Sequence, residues 1–335
     1  MNRPAPRART VCVRAALALL SSTAAAAVLA QPAAPGWPLK PLRLVVPNAP
    51  GSSNDVLSRL VANRLGEALG QQIIVDNRAG AGGVLGVEIA ARAAPDGYTL
   101  MAASSATHSI APFVYKKLPY DPVKDFAPIS LFVFTQNLLA VNTALPVKSV
   151  GDLIAIARAK PGTLNMASAG TASTSHIAGA LFASLAGIDV VHVPYKGAGP
   201  SIASVVAGES QFVFTPIAGP IGQVKGGKLR ALAVGGKERS AILPDVPTVA
   251  ESGVPAYVFT GWNGFMAPAG TAKPIIDRLF TSMLKVLGSP ELREQFAQQG
   301  AEPMSSTSPE AFARHVREEV ARYGKLVKAA GIQPE

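Results

Sequence analysis

Short apolar runs alternate with longer segments whose apolar residues recur every three to four positions. The short runs are typical of buried β-strands, and the longer period is typical of amphipathic helices. The pattern predicts strands at residues 42–46, 72–75, 98–103, 138–141, 164–167, 190–193, 211–215, 229–234 and 264–267. It predicts a helix after residue 55, with apolar positions from Leu57 to Ala68, and further helices at 84–93, 150–159, 177–185, 275–287 and 309–329. Such alternation predicts an α/β fold with largely parallel sheets and helices on both faces.

Two turns of small polar residues each join a predicted strand to a predicted helix. The first, PNAPGSSND, covers residues 47–55, and the second, SAGTASTSH, covers residues 168–176. The first N–H groups of a helix have no intrahelical partner and the helix dipole is positive there, so both turns are expected to attract anions. Since ligands of open α/β sheets bind at the carboxyl ends of strands, the turns predict the two halves of one carboxylate site.

The side chains of these turns have ordinary structural roles as alternatives. Asp55 is equally interpreted as a helix N-cap, and His176 as a packed or capping histidine. Tyr195 follows another strand and could contact a ligand, whereas the neighbouring Lys196 is interpreted as a solvated surface residue. Trp262 is equally consistent with the core and with a pocket wall.

The first thirty residues are predicted to be a secretory signal peptide. Arg3, Arg7, Arg9 and Arg14 precede an apolar stretch over residues 15–29, which ends in the small-residue sequence VLA. Cleavage near Gln31 would leave 27 basic and 21 acidic residues, because four of the 31 Lys and Arg residues and none of the 21 Asp and Glu residues precede it. The remaining chain, too long for one core, is expected to form two lobes.

Several other classes of protein do not fit the sequence. Dispersed basic residues argue against nucleic acid as a partner. The single cysteine, Cys12, lies in the predicted signal peptide, and the four histidines lack metal-ligand spacing, so no metal is expected. The glycine-rich segment 77–86 has G-x-G-x-x-x-G spacing without a suitably placed acid, so no dinucleotide or other cofactor is predicted.

Catalysis is the main alternative to binding. Motifs of serine hydrolases, zinc proteases and P-loop enzymes are missing from the sequence. A hydroxyl of the second turn could pair with His176 in an exported hydrolase or isomerase, although no orienting third group is evident.

Ten stretches together resemble one family, the tripartite tricarboxylate transporter substrate-binding proteins, also called the Bug or TctC-like family of periplasmic solute receptors. They occur in family order between Trp37 and Pro303: WPLKPLRLVVP, NRAGAGGVLG, PDGYTL, YDPVKDFAPI, LPVKSVGDLIA, KPGTLNMASAG, STSHIAGALF, VPYKGAGP, LPDVPTVAESGVP and GWNGFMAPAGT. Each stretch is weak alone, but the ordered set over most of the chain is specific.

The resemblance implies two doubly wound, Rossmann-like lobes with a hinge and an interlobe cleft, as in type II periplasmic binding proteins. Lobe 1 would comprise residues 36–140 and 236–335 and lobe 2 residues 141–235, with crossings near Val141 and Gly235. The implied ligand-binding residues are Ser52, Ser53, Asp55, Ser105, Ser168, Gly170, Thr171, Ser173, His176, Tyr195 and Thr215.

The same resemblance implies a monomeric, non-enzymatic periplasmic receptor that delivers a small organic carboxylate to membrane transporter subunits or to a sensor. One position departs from the family pattern. The first turn of the family usually contains PxPGG, whereas Ser52 replaces the second glycine here. A side chain at that place is expected to alter which carboxylate fits.

Overall fold

Nine β-strands run through the described part of the chain, which is Met1 and residues 36–334 of a computed structural model. They are β1 Leu42–Val46, β2 Ile73–Asn77, β3 Thr99–Ser104, β4 Phe126–Asn142, β5 Asn165–Ser168, β6 Val191–Pro194, β7 Phe212–Pro216, β8 Leu229–Val234 and β9 Thr260–Pro268. Apart from Met1, the predicted signal peptide, with Cys12, lies outside the described residues.

The helices lie between the strands and after the last strand. They are α1 Ser53–Leu69, α2 Val84–Ala91, α3 Ala111–Val114, α4 Val150–Ala159, α5 Thr174–Ala186, α6 Ala198–Ala207, α7 Ile221–Lys225, α8 Lys273–Leu287, α9 Pro290–Gln298 and α10 Pro309–Ala329. A 3₁₀ turn at Ala81–Gly83 precedes α2, and a π-helical turn at Ala106–Ile110 precedes α3. The predicted α/β class is confirmed.

The strands form a mixed sheet in the order β2-β1-β3-β9-β4-β7-β5-β6, and β8 also pairs with β4. Strands β2, β1 and β3 are parallel, as are β6, β5 and β7, but β4, β8 and β9 pair antiparallel with their neighbours. The prediction of largely parallel sheets therefore holds for two groups of three strands, which are joined by antiparallel strands.

The long strand β4 divides the sheet into two sections. Residues 126–136 of β4 pair with β9, and residues 137–142 pair with β7 and β8. We call β2, β1, β3, β9 and residues 126–136 of β4 the first sheet section, and the remaining strands the second sheet section. The sequence predicted only residues 138–141 of β4, because Pro128 lowers the strand signal of its first part; Pro128 lies beside a register shift.

Hydrophobic packing does not follow the predicted lobe boundaries closely. Val254, Tyr257 and Phe259 follow the predicted second crossing at Gly235. They pack in one cluster with Phe182 of α5 and with Phe214 of β7 in the second sheet section. The same cluster includes residues near the end of α10, which also packs against β4. The exact division into lobes stays a prediction.

Local signals explain why the helices beside the two turns begin where they do. Ser52 and Ser173 are the N-caps of α1 and α5, and their hydroxyl oxygens accept the backbone N–H groups of Asp55 and His176. Each helix ends at a glycine in the left-handed conformation, Gly70 or Gly187, which an L-residue adopts less readily. Both helix starts are therefore fixed beside the carboxyl ends of β1 and β5.

Candidate functional site

A cavity of about 580 Å³ lies between the two sheet sections, where the turns after β1 and β5 face each other. Its walls include the turn from Pro47 to Asn54, the loop from Ala79 to Gly83, the exit of β3, the turn from Ala169 to Ser175, and the loop after β6. The carboxyl ends of the parallel strands of both sections thus point toward one space, as the sequence predicts.

Eight of the eleven predicted ligand-binding residues line this cavity, and three do not. The eight lining residues are Ser52, Ser53, Ser105, Gly170, Thr171, Ser173, Tyr195 and Thr215. Asp55, Ser168 and His176 lie behind the walls, where their side chains bond or stack with other protein groups. The geometry therefore gives these three residues a supporting position.

The first turn offers two backbone donors to the cavity. Ser52 N donates to the Ala49 carbonyl oxygen, and Asp55 N donates to Ser52 Oγ at 3.3 Å. These bonds leave the N–H groups of Ser53 and Asn54, both in lining residues, without a partner among the described residues. The buried Ser53 Oγ also has no hydrogen-bond partner within the described part of the chain. The start of α1 can thus donate to an anion.

Asp55 holds this turn from behind. Its carboxylate accepts Gly51 N at 2.9 Å, Asn77 Nδ2 at 2.8 Å and Arg59 Nε at 2.9 Å, and its side chain is 3% exposed. Burial opposes ionisation, but the hydrogen bonds from Arg59, Asn77 and Gly51 outweigh it and hold the pKa of Asp55 below its usual value. The ionised carboxylate therefore fixes Gly51, whose φ is +78°.

A second, partly buried network supports the same turn through four asparagines. Asn54 Nδ2 donates to Asn48 Oδ1 at 2.9 Å, and Asn263 Nδ2 of β9 donates to Asn54 Oδ1 at 2.5 Å. Asn77 Nδ2 also donates to the carbonyl oxygen of Asn48. Asn48, Asn54 and Asn263 all line the cavity, but none of them is among the predicted ligand-binding residues, because their spacing in the chain shows no motif.

The second turn is built from hydroxyl-to-backbone bonds. Ser173 Oγ donates to the Gly170 carbonyl oxygen at 2.6 Å, and Ser175 Oγ accepts the N–H of Ala169 at 2.8 Å. Gly170 has a φ of +115°, which favours glycine. The capping bond from His176 N to Ser173 Oγ leaves the N–H groups of Thr174 and Ser175 without a described partner, and both residues line the cavity. The start of α5 is thus a second anion donor.

His176 and His192 stack behind the second turn. Their ring centroids are 3.9 Å apart with an interplanar angle of 9°. His192 Nε2 lies 2.6 Å from Ser168 Oγ, which in turn accepts the N–H of Gly170 at 3.1 Å. Burial and the neighbouring His192 lower the pKa of His176 to about 4, so His176 is neutral at pH 7. The neutral His176 ring therefore supports the turn from behind by stacking on His192.

The glycine-rich loop after β2 forms a wall of the cavity that the sequence did not assign to the site. Residues Ala79 to Gly83 line the cavity. A Cβ at Gly82 would lie 2.5 Å from the Tyr115 hydroxyl oxygen and 3.4 Å from the Thr171 carbonyl oxygen. Gly82 thus allows the loop to approach the second turn. Gly80, Gly82 and Gly83 all have positive φ values, which explains why glycine occupies these positions.

Gly86 in α2 provides a test of this close packing. A Cβ there would lie 2.6 Å from the Arg78 carbonyl oxygen and 2.8 Å from the Cα of Pro47, which lines the cavity. Helix propensity favours alanine over glycine by about 1 kcal/mol. We nevertheless expect Gly86→Ala to lower the free energy of unfolding by about 1 to 2 kcal/mol, since backbone atoms must move.

Chemical denaturation of Gly86→Ala and of Gly151→Ala checks this expectation. Gly151 lies in α4, where the nearest atom to an added Cβ would be Ser149 Oγ at 3.6 Å. Gly151→Ala should therefore retain wild-type stability or gain some. Equal stabilisation of both variants would contradict tight packing of α2 against Pro47.

The charge of the cavity walls suits an anion. Among the described residues that line the cavity, Lys196 alone carries a charged side chain, and it is exposed. Lys196, which the sequence predicts to be a solvated surface residue, is on the surface and also forms part of the cavity wall. No Asp or Glu side chain occurs among the lining residues of the described chain. Hydroxyl, amide and backbone N–H groups therefore dominate the binding chemistry.

Trp262 combines both interpretations that the sequence left open. Its side chain is fully buried and packs against Phe312 and His315, yet it also lines the cavity. Its Nε1 has no hydrogen-bond partner among the described residues. Trp262 thus joins the core to the cavity wall.

Two other functional features are missing from residue 1 and residues 36–334. This part of the chain contains no group of three or more His, Cys, Asp or Glu side chains placed to hold a metal ion. None of its helices has both the length and the apolar character needed to cross a membrane.

The fold and the cavity define a class of protein: an α/β binding protein with a ligand cavity at the carboxyl ends of its strands. Residues 57–332 match the family described as tripartite tricarboxylate transporter family receptor, TctC. The chain belongs to this family, so the resemblance proposed from the sequence is confirmed. Members of the family and the solved neighbours are solute-binding receptors, not enzymes.

Individual relatives agree with this assignment. Protein BugT of Bordetella pertussis is 35% identical over 311 residues, which cover 92% of this chain and 95% of BugT. The solved structure of R. palustris Rpa4515 with adipate has a TM-score of 0.87 and 36% identity, covering 89% of this chain and 100% of the other. MatC (Rpa3494) from Rhodopseudomonas palustris with bound malate has a TM-score of 0.82 and 32% identity, with 87% and 100% coverage.

Proposed function

We propose that this protein is a periplasmic receptor that captures a small organic carboxylate in the cavity and delivers it to a tripartite tricarboxylate-type transporter. The main support for the proposal is that the helix starts of α1 and α5 lie on opposite walls of one cavity. The described lining of this cavity has no acidic side chain. Backbone N–H groups and hydroxyls stabilise a carboxylate without a fixed counter-ion.

The solved relatives support the same chemistry. Rpa4515 and MatC hold adipate and malate, which are both dicarboxylates. The exported hydrolase or isomerase that the sequence left open has less support, because His176 stacks on His192 outside the cavity lining and cannot meet a bound substrate there. We infer that the eight lining residues predicted from the sequence bind the ligand, and that Asp55, Ser168 and His176 position them.

Calorimetric titration and thermal unfolding with a panel of dicarboxylates, neutral sugars and amino acids test the binding claim. A carboxylate at 100 times its dissociation constant should raise the free energy of unfolding by about 2.7 kcal/mol. A Thr174→Trp variant should lose this response because Thr174 lines the cavity, whereas the control Thr281→Trp, at an exposed site in α8, should keep it. Stabilisation by sugars alone would contradict the proposal.

Transport and sensing make different predictions for cells. If the protein delivers its ligand to a transporter, deleting its gene should abolish uptake of the labelled carboxylate, and the wild-type gene should restore it. Unchanged uptake with an altered transcriptional response to the same carboxylate would favour the sensor role. Osmotic-shock fractionation with N-terminal sequencing would check export; retention of the protein in the cytoplasm would contradict a periplasmic receptor.

A further inference from the structure

A second cavity of about 370 Å³, which we call the side cavity, adjoins the main one. It is formed by Gly51 and Ser53 of the first turn, one face of α6, and residues in and around α7. The α6 face contributes aliphatic and small side chains, among them Ile202, Ala203 and Val206. Apolar surface of this kind favours a hydrocarbon over a polar ligand.

The two cavities share part of their walls. Ser53, Ala198 and Thr215 line both. All three side chains are small, and Ser53 Oγ is buried without a hydrogen-bond partner among the described residues. Because Ser53 lies in the first turn of α1, beside the proposed carboxylate donors, the side cavity adjoins the proposed carboxylate site.

The polar residues of the side cavity are placed for a second anionic group. Gln223 and Lys228 complete its lining, which contains no acidic residue among those described. The Lys228 side chain forms no ion pair with another described residue. An apolar wall that adjoins the carboxylate site and carries a lysine matches a molecule with a carboxylate at each end and hydrocarbon between them.

We propose that the receptor prefers elongated dicarboxylates, with one carboxylate in the main cavity and the hydrocarbon body and second carboxylate in the side cavity. The inference rests on the proposed function, since it needs the first carboxylate to bind at the starts of α1 and α5. The hydrocarbon body of the ligand then passes Ser53, Ala198 and Thr215, and Lys228 pairs with the second carboxylate.

Calorimetric titration with straight-chain dicarboxylates of four, six, eight and ten carbons tests the inference. Burial of one methylene is worth about fourfold in affinity, so the wild-type protein should bind sebacate far more tightly than succinate. Ala203 lines only the side cavity, so Ala203→Leu should weaken sebacate at least tenfold, with succinate within twofold of wild type. Lys228→Met should weaken the long acids only.

Ala321→Leu, at an exposed position of α10, is the matched control and should leave the whole series unchanged. Thermal unfolding verifies that each variant is folded, and Ala207→Leu provides a second way to fill the side cavity. If the protein binds succinate but its affinity does not rise with chain length, the inference is overturned and the proposed function stands. The same holds if Ala203→Leu weakens the affinity for all four acids equally. Failure of the wild-type protein to bind any carboxylate would instead overturn the proposed function.

Discussion

Replacing Asp55 by alanine is expected to lower the free energy of unfolding by about 3 kcal/mol and to weaken carboxylate binding. The buried Asp55 carboxylate accepts bonds from Gly51, Asn77 and Arg59. Its removal leaves the Gly51 N–H and the Asn77 amide without this acceptor and frees the turn that contains Ser52 and Ser53. Arg59 is 44% exposed and can return to water, which keeps the loss near the lower end of values for buried ion pairs.

Denaturant unfolding and calorimetric titration measure the two effects of Asp55→Ala. Asp277→Ala is the control, because Asp277 forms an exposed pair with Lys273 in α8 and such pairs contribute little. Asp55→Asn should be intermediate, since the amide oxygen can still accept one of the bonds. Wild-type stability and affinity in Asp55→Ala would show that the first turn does not depend on this carboxylate.

Acidification should destabilise the wild-type protein more than it destabilises His176→Phe. The folded protein keeps His176 neutral, with a pKa of about 4, whereas an unfolded chain protonates this residue near pH 6.5. The unfolded state therefore binds more protons in this window, so stability is fully present above pH 6.5 and is lost as the pH falls toward 4. Between pH 7.5 and pH 4.5 this residue should account for a loss of about 2 to 3 kcal/mol.

The comparison of the two proteins removes the effect of titrating groups that do not contact His176. Burial also lowers the pKa of His108, to about 3, but His108 is present in both proteins and its effect cancels. At pH 7.5 His176→Phe should be close to wild type in stability, because phenylalanine keeps an aromatic ring against His192. Equal losses on acidification, measured by denaturant unfolding at both pH values, would contradict burial of a neutral His176.

Much of the fold follows from local patterns in the sequence. The predicted limits of β1, β8, α4 and α10 coincide with the structure, because capping residues or abrupt changes from apolar to polar residues mark their ends. The first part of β4 does not follow from such patterns. Pro128 lowers its local strand signal, and its partner β9 lies more than a hundred positions away, so a local window contains no information on that pairing.

The sequence predicts where the candidate site lies, but it does not predict where every side chain of the site points. Both turns face the cavity because strand and helix order fixes the sheet edge to which they belong. Asp55 and His176 lie behind the walls because side chains at the third position of a helix turn back toward neighbouring elements, here β2 and β6. Asn263 reaches the cavity only through the antiparallel pairing of β3 with β9, which no motif indicates.

The departure at Ser52 has a structural explanation. Its φ of −69° is accessible to any residue, and its hydroxyl caps α1 by accepting the N–H of Asp55. Serine therefore stabilises the helix start where the family pattern has glycine, and it adds a side chain to the cavity wall. Its effect on ligand choice stays a prediction.

A crystal structure with the tightest-binding dicarboxylate tests the central claim most directly. We predict carboxylate oxygens within about 3 Å of backbone nitrogens at the start of α1 or α5, at Ser53 and Asn54 or at Thr174 and Ser175. A dicarboxylate bound outside the cavity, or held at the rim by Lys196 without contact to either helix start, would contradict the claim.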